Sequence, residues 1–310
     1  MTTASIPSHI TNWLTVVRLP FTTVGVVPFC AGIFIAYRSP YTVNWLTSLL
    51  GVFAVLFICI SCYLIGEIYD QEEDLLTLNY GRSKFAGGTL LVANRTISTK
   101  AISRAVVVFI TFAAMAGIYI SLTYSSWLLF GLGLFGSLSA VLYSLPPVRL
   151  VKRGLGEILI GICYGWLPLV TGFVAASGKF PSYSWLFAWP VALSIFNVIF
   201  INEFPDYESD ISAGKRNLVV RTGKGVASKI YGIIAVFIAG SIVWVWYFFR
   251  QKEPVFFLMA MPVVLLSLAL AHSIAIKNMW GSRKRLEIIC GLGILLNHLA
   301  SISVAFLVVL

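Results

Sequence analysis

The sequence predicts an all-α, polytopic membrane protein: nine transmembrane helices around a central cavity, with a cytoplasmic N-terminus. Three observations predict it. Of the 310 residues, 59% are hydrophobic and 11% charged, with a mean hydropathy of +0.91, a balance no soluble globule shows. The apolar residues gather in segments of about 20, the length that a bilayer core demands of a helix. Lysine and arginine fall almost entirely on alternate connectors between those segments, which is the pattern that sets membrane topology.

The spans are read at about 17–37, 45–66, 102–122, 126–144, 157–176, 185–204, 228–249, 254–275 and 287–309. Ahead of Arg18 lies a mostly polar, interfacial lead-in, interrupted by Ile6, Ile10 and the apolar run from Trp13 to Val17. Pro20 stands where a helix start tolerates proline. No basic segment precedes a short apolar core, so the first span is expected to be a retained helix and not a cleaved leader. Trp45, Trp127, Trp185 and Trp189 fall at expected interfaces, as aromatic belts do. Pro146-Pro147 ends the fourth span. No linker divides the chain, so residues 1–310 form one membrane domain.

With the N-terminus and the connectors after spans two, four, six and eight on one side, that side holds 18 of the 22 Lys/Arg. This orients it toward the cytoplasm. The net charge of +10 is concentrated there. It suits anionic lipid headgroups and an anionic substrate such as a diphosphate. Nucleic acid is excluded as a partner, because these bases lie in short loops of a membrane protein. The five cysteines all lie in apolar stretches. Cys59 and Cys62 have metal-pair spacing without a second pair, so they read as packing residues. His9, His272 and His298 are too scattered to ligate one ion.

Two nonamers organise the chain. Gly66-Glu67-Ile68-Tyr69-Asp70-Gln71-Glu72-Glu73-Asp74 closes the second span, and Asn202-Glu203-Phe204-Pro205-Asp206-Tyr207-Glu208-Ser209-Asp210 closes the sixth. They share Glu, Asp, Glu and Asp at matching places and contain nine of the twelve carboxylates. On a continuous helix Glu67, Asp70 and Asp74 fall within an arc of about 60°, and so do Glu203, Asp206 and Asp210. The recurrence after four helices preserves orientation, so spans one to four and five to eight read as an internal pseudo-repeat with the ninth added. Such repeats place a site at their interface.

Acids this dense beside a membrane require neutralisation. Mg²⁺ takes oxygen ligands and is commonly held by one or two carboxylates plus phosphate oxygens, so two facing clusters suit a diphosphate clamped through bridging ions. Three connectors supply cations: Arg82-Ser83-Lys84-Phe85-Ala86-Gly87-Gly88-Thr89, the Tyr143 to Glu157 loop with Arg149, Lys152 and Arg153, and Ser212 to Gly223 with Lys215 and Arg216. An apolar cavity behind would take a hydrocarbon tail, and its aromatic rings suit a carbocation.

The first nonamer resembles the N-D-x-x-D-x-x-x-D motif of the UbiA superfamily of intramembrane prenyltransferases. Asp206, Asp210, Gly214, Lys215 and Arg216 resemble that superfamily's D-x-x-x-D-x-x-x-G-K-R continuation, and Tyr143-Ser-Leu-Pro-Pro with its basic tail resembles the loop after helix four. The resemblance covers essentially the whole chain. It implies a Mg²⁺-dependent enzyme of the cytoplasmic membrane, with its active site on the cytoplasmic face, that moves a polyprenyl group from an allylic diphosphate to a small aromatic acceptor. By position it implies Asp70, Asp74, Asp206 and Asp210 as catalytic metal-holding residues. Asn202, Lys84, Tyr143, Arg149, Lys215 and Arg216 are then the substrate-binding set. Gly66 stands where the family has Asn, and Glu67 where it has Asp, so Glu67 is a candidate replacement ligand. Phe85-Ala-Gly-Gly-Thr and the segment from Asn202 to Arg221 look most like menaquinone-branch members, which prenylate 1,4-dihydroxy-2-naphthoate. Acceptors of the 4-hydroxybenzoate, homogentisate, chlorophyllide or glycerol-phosphate type are the alternatives within the family.

A cation-coupled transporter is the alternative from another class. Against it, the acids cluster at one face and no Gly/Pro-broken helix pair lies mid-membrane. A CDP-alcohol phosphotransferase needs Asp-Gly followed by Ala-Arg ahead of its later aspartates, and neither nonamer has it.

Overall fold

The computed structural model describes residues 8–85 and 87–308. Among them, nine helices are long and apolar enough to cross a membrane: Leu19–Arg38, Trp45–Tyr69, Thr99–Thr123, Trp127–Ser144, Gly156–Ser177, Ser184–Asn202, Lys224–Arg250, Pro254–Ile276 and Arg283–Leu307. These are spans one to nine, and each matches its sequence-based segment to within a few residues. Of the interfacial lead-in, residues 1–7 lie outside the described residues, and Ser8–Val16 is a surface helix.

Local chemistry sets several helix starts. Asn44 caps span two by accepting the amides of Leu46 and Thr47 at 3.1 and 3.2 Å. Ser98 and Ser126 do the same for spans three and four through Ala101 and Leu129, each at 3.2 Å. Each side chain satisfies donors that a helix start leaves orphaned.

Burial separates core from periphery. In the most apolar window of each span, 72% of span six and 56% of spans five and nine are buried, against 17% of span three and 22% of span four. Spans three and four therefore present most of their surface outward. Small residues bring the central helices together, as helix pairs in lipid generally require. A Cβ on Gly32 would sit 2.0 Å from the Leu169 carbonyl, and one on Gly172 would sit 2.1 Å from the Phe29 carbonyl, so spans one and five touch backbone to backbone. A Cβ on Gly165 would sit 2.5 Å from Ala192 Cα, so span five also meets span six at its backbone. Span nine packs on spans one, six and eight and closes the bundle.

The acidic nonamers do not ride on continuous helices, contrary to the expected stacking of carboxylates along one helix face. Span two ends at Tyr69, Asp70 sits at the junction (φ −107°, ψ 14°), and a separate helix runs from Gln71 to Tyr80. Span six ends at Asn202, a turn leads through Pro205, and Tyr207–Ser212 is a short helix. Proline has no amide to continue the ladder, which explains the second break. Both segments fold back over one end of the bundle, where their carboxylates meet. The connector from Lys277 to Arg285, featureless in sequence, is also engaged there. Arg283 donates to the Tyr80 and Gly81 carbonyls, and Glu287 accepts the Lys84 amide at 3.3 Å.

The glycine contacts give a direct test. Gly172→Ala is expected to destabilise the protein by about 1–3 kcal/mol through overpacking. Gly240→Ala, where an added Cβ meets nothing within 4 Å, is expected to stay within about 0.5 kcal/mol. Thermal unfolding of the two purified variants measures the difference.

Candidate active site at the helix ends

Two chambers adjoin. The first, about 220 Å³, lies under the folded-back segments. Both acidic segments line it: Glu67, Asp70, Glu73 and Asp74 from one, Glu203, Asp206 and Asp210 from the other, together with Asn202. Only two cations, Arg18 and Lys215, share that lining. The second chamber, about 470 Å³, runs between spans two to five and is walled almost entirely by apolar side chains. Cys62, Tyr143, Ile160 and Tyr164 border both chambers and form the neck between them. Tyr164 is carried by a π-helical turn, Gly161–Trp166, inside span five, an irregularity that helices often carry at functional sites.

The carboxylates differ in what holds them. Asp70 accepts Arg149 Nη2 at 2.6 Å and the Ser144 hydroxyl at 3.3 Å. Glu73 accepts the same guanidinium at 2.7 Å and also pairs with Lys152 and Lys215. Lys215 Nζ lies 3.2 Å from Glu73 and 3.1 Å from Asp210, so one ammonium joins the two acidic segments. Asp210 also accepts the Asn217 amide at 2.8 Å. Asp74 accepts the Gly88 amide at 2.7 Å. Glu67 has both oxygens taken by Thr89, one by its amide and one by its hydroxyl at 2.8 Å. Among the described residues no hydrogen bond or ion pair reaches the Asp206 carboxylate. The Asn202 Oδ1 and Glu203 Oε2 atoms are buried without partners.

The electrostatics follow from these partners. Burial raises Asp74 to about 7 despite the Gly88 amide, and raises Asp206 to about 6 with help from Asp210. Burial also raises Asp70 and Asp210, against the pull of Lys215. Glu203 is raised by burial and by neighbouring Glu157. Burial pushes Glu73 upward too, but Lys215, Lys152 and Arg149 outweigh it and hold the group below its ordinary range. Burial disfavours the Lys215 charge, yet Asp210, Glu73 and Asp70 raise it overall. The cavity thus holds more acid than its own cations neutralise.

A hard divalent cation fits that deficit. The donors are all oxygens, Asp206 is unengaged, and Asn202 Oδ1 is an orphaned acceptor. No three such side chains among the described residues converge closely enough to form a centre by themselves. That suits an ion completed by oxygens from a bound ligand, the usual habit of Mg²⁺.

Of the residues singled out in the sequence, Glu67, Asp70, Asp74, Tyr143, Asn202, Asp206, Asp210 and Lys215 come together around the cavity. Arg149 stands behind Asp70 and Glu73. Lys84 and Arg216 are not brought in. Both are exposed, and their backbones serve the loops: the Lys84 amide reaches Glu287, and the Arg216 carbonyl accepts Arg221 Nε at 2.6 Å. Sequence reasoning missed Arg18, Glu73, Asn217 and Tyr164. Glu73 lies inside the first nonamer, one place from the shared pattern, and Asn217 directly follows the Gly-Lys-Arg run. Tyr164 and Arg18 carry no such signal.

Comparison with known proteins gives consistent findings. A sequence model of the UbiA prenyltransferase family matches residues 25–285. The chain is 27% identical over 237 residues to a 2-carboxy-1,4-naphthoquinone phytyltransferase from Synechocystis, covering 72% of this chain and 70% of that one. It is 28% identical over 204 residues to a 1,4-dihydroxy-2-naphthoate octaprenyltransferase from Bacillus subtilis, covering 66% of this chain and 62% of that one. In fold it is similar to a UbiA homologue from Archaeoglobus fulgidus solved with DMAPP and Mg²⁺. The TM-score is 0.65 at 18% identity, over 92% of this chain and 97% of that one.

The Lys215 bridge predicts a pH-dependent penalty. Lys215→Met leaves Asp210 with no cation and only the Asn217 amide, while Glu73 keeps Arg149 and Lys152. The expected loss is about 3 kcal/mol near neutral pH, the low end for an uncompensated buried charge. Unpaired buried carboxylates take up protons more readily, so the loss is expected to shrink as pH falls toward 5. Thermal unfolding of wild type and variant at a series of pH values measures it.

Proposed function

The chain belongs to the UbiA prenyltransferase family, and from that premise we propose that it transfers a polyprenyl group from an allylic diphosphate to 1,4-dihydroxy-2-naphthoate. The observation that carries the reading is the pair of joined chambers. An acid-lined cavity opening through a tyrosine-flanked neck into an apolar chamber suits a molecule with a charged head and a hydrocarbon tail, its reacting carbon at the neck. The likeness to two naphthoate-type prenyltransferases supports the acceptor.

Asp70, Asp74, Asp206 and Asp210 would hold Mg²⁺, with Asn202 Oδ1 as a further oxygen. When bound, the ion supplies the positive charge that lets an acidic cavity accept a diphosphate and lets that group leave. Lys215 and Arg149 keep Asp210, Glu73 and Asp70 in position while the head group enters. Tyr143 and Tyr164 border the space where the allylic carbon–oxygen bond breaks, and their rings stabilise the cation that forms. The acceptor's ring carbon takes the allylic carbon, and its carboxylate leaves as CO₂. The apolar walls keep water from capturing the cation first. The internal pseudo-repeat then has a chemical use, since each half supplies one acidic segment.

The active site faces the cytoplasm in this reading. Eighteen of the 22 Lys/Arg belong to the N-terminal segment, the connectors and the adjoining helix ends at the acid-lined end, the side that the positive-inside rule assigns inward.

The test is an acceptor panel with the purified protein, a long-chain allylic diphosphate and Mg²⁺, analysed by mass spectrometry with and without EDTA. A decarboxylated prenyl-naphthoquinol that disappears on chelation is expected. Product only with 4-hydroxybenzoate or another acceptor overturns the acceptor assignment. Asp70→Ala and Asp206→Ala are each expected to cut turnover by at least about 100-fold, the scale of losing one transition-state charge contact. Tyr164→Ala is expected to lose about 30-fold, equivalent to about 2 kcal/mol of desolvated cation–π stabilisation. Tyr164→Phe keeps the ring and is expected to lose far less.

A further inference from the structure

We propose that Arg18 is a positioning residue for Asp74, acting through the peptide bond between Gly87 and Gly88. That peptide is held at both ends. Arg18 Nη1 donates to the Gly87 carbonyl at 2.6 Å, and the Gly88 amide of the same planar unit donates to Asp74 Oδ1 at 2.7 Å. In a trans peptide the carbonyl and the amide point in opposite directions. A guanidinium fixed on the oxygen therefore fixes the direction of the N–H and polarises it toward the carboxylate.

Arg18 is itself well held. Its guanidinium lies 4.7 Å from the Phe21 ring centre and 5.5 Å from that of Tyr63, and Nη2 reaches the Phe85 carbonyl at 3.5 Å. The residue adopts a left-handed backbone (φ 49°) between the surface helix and span one, a conformation uncommon outside glycine. Upstream, Val16 is buried with Ile60, Leu64, Val92 and Ile97, so the surface helix and the chain beyond Thr89 share one small core. The glycines make the contact possible. Gly87 has φ +71°, and a Cβ on Gly88 would lie 2.0 Å from Asp74 Oδ2. No cation among the described residues pairs directly with Asp74, so the polarised amide is its principal orienting contact.

The metal-dependent part of this inference rests on the proposed function, in which Asp74 holds Mg²⁺, whereas the latch itself does not. Two measurements on full-length Arg18→Ala and Arg18→Lys separate them. In metal-free protein, amide hydrogen exchange over residues 87–92 is expected to speed up by at least about 10-fold in Arg18→Ala, as loss of a local closing contact requires. Arg18→Lys, which keeps one donor, should fall between, with the helices unchanged. Unaltered exchange in that segment overturns the latch. If Arg18→Ala exchanges rapidly throughout, Arg18→Lys alone decides the matter by whether its change is confined to this segment. In turnover, the Mg²⁺ concentration for half-maximal rate is expected to rise by about 10-fold in Arg18→Ala, with the acceptor KM unchanged within about two-fold. A rise in acceptor KM alone overturns the proposal and makes Arg18 an acceptor contact. Wild-type turnover insensitive to EDTA would remove the metal reading and leave the latch to be judged by exchange.

Discussion

Seven carboxylates line one small cavity at the end of an apolar bundle, and the ammonium of Lys215 lies between two of them, one from each acidic segment. The rest of the site depends on that contact. Without a shared cation the two segments would repel each other across a space of low dielectric, where charges interact far more strongly than in water. With it, Glu73 and Asp210 become fixed walls, Arg149 secures Asp70 from behind, and Asp206 and Asn202 remain without partners. The arrangement is neutralised only in part, and in the proposed function that remaining deficit is what would receive a divalent ion with its anionic ligand.

The bundle beneath serves the same end. Spans one, five and six meet through glycines at backbone contact, which keeps the centre narrow on that side. Spans two to five diverge enough to enclose the apolar chamber. Span five belongs to both regions. Its Gly165 and Gly172 faces pack tightly, while its π-helical turn carries Tyr164 to the neck. A single helix thus sets the distance between the packed core and the place where head group and tail would meet.

Gly87, Gly88 and Thr89 lie against the first acidic segment and are held there by polar contacts: Gly88 to Asp74, Thr89 to Glu67, Arg18 to Gly87. Paired glycines beside Arg82 and Lys84 are backbone that an anion can approach closely. In the structure they serve a carboxylate already present. Glu67 likewise looked like a substitute ligand for the family's missing Asn. Here both its oxygens hold Thr89, so Glu67 anchors the loop.

The sequence by itself determined the nine spans, the placement of the two acidic segments at one end, and the family. Hydropathy, charge alternation and a motif repeated in register are properties of local runs, which a linear reading registers directly. The sequence also contained all seven of the cavity's carboxylates within the two nonamers, where they lie a few positions apart. Only the tertiary structure decided which of those groups are neutralised and which stay open. It turned Lys84 and Arg216 outward although each is neighbour to a residue that faces in. It also recruited Arg18 from the junction ahead of span one and Tyr164 from within span five. Partnership between charges depends on where separate loops fold back and how close bare glycine backbones let helices come. Those distances arise between residues far apart in the chain, and no local pattern encodes them.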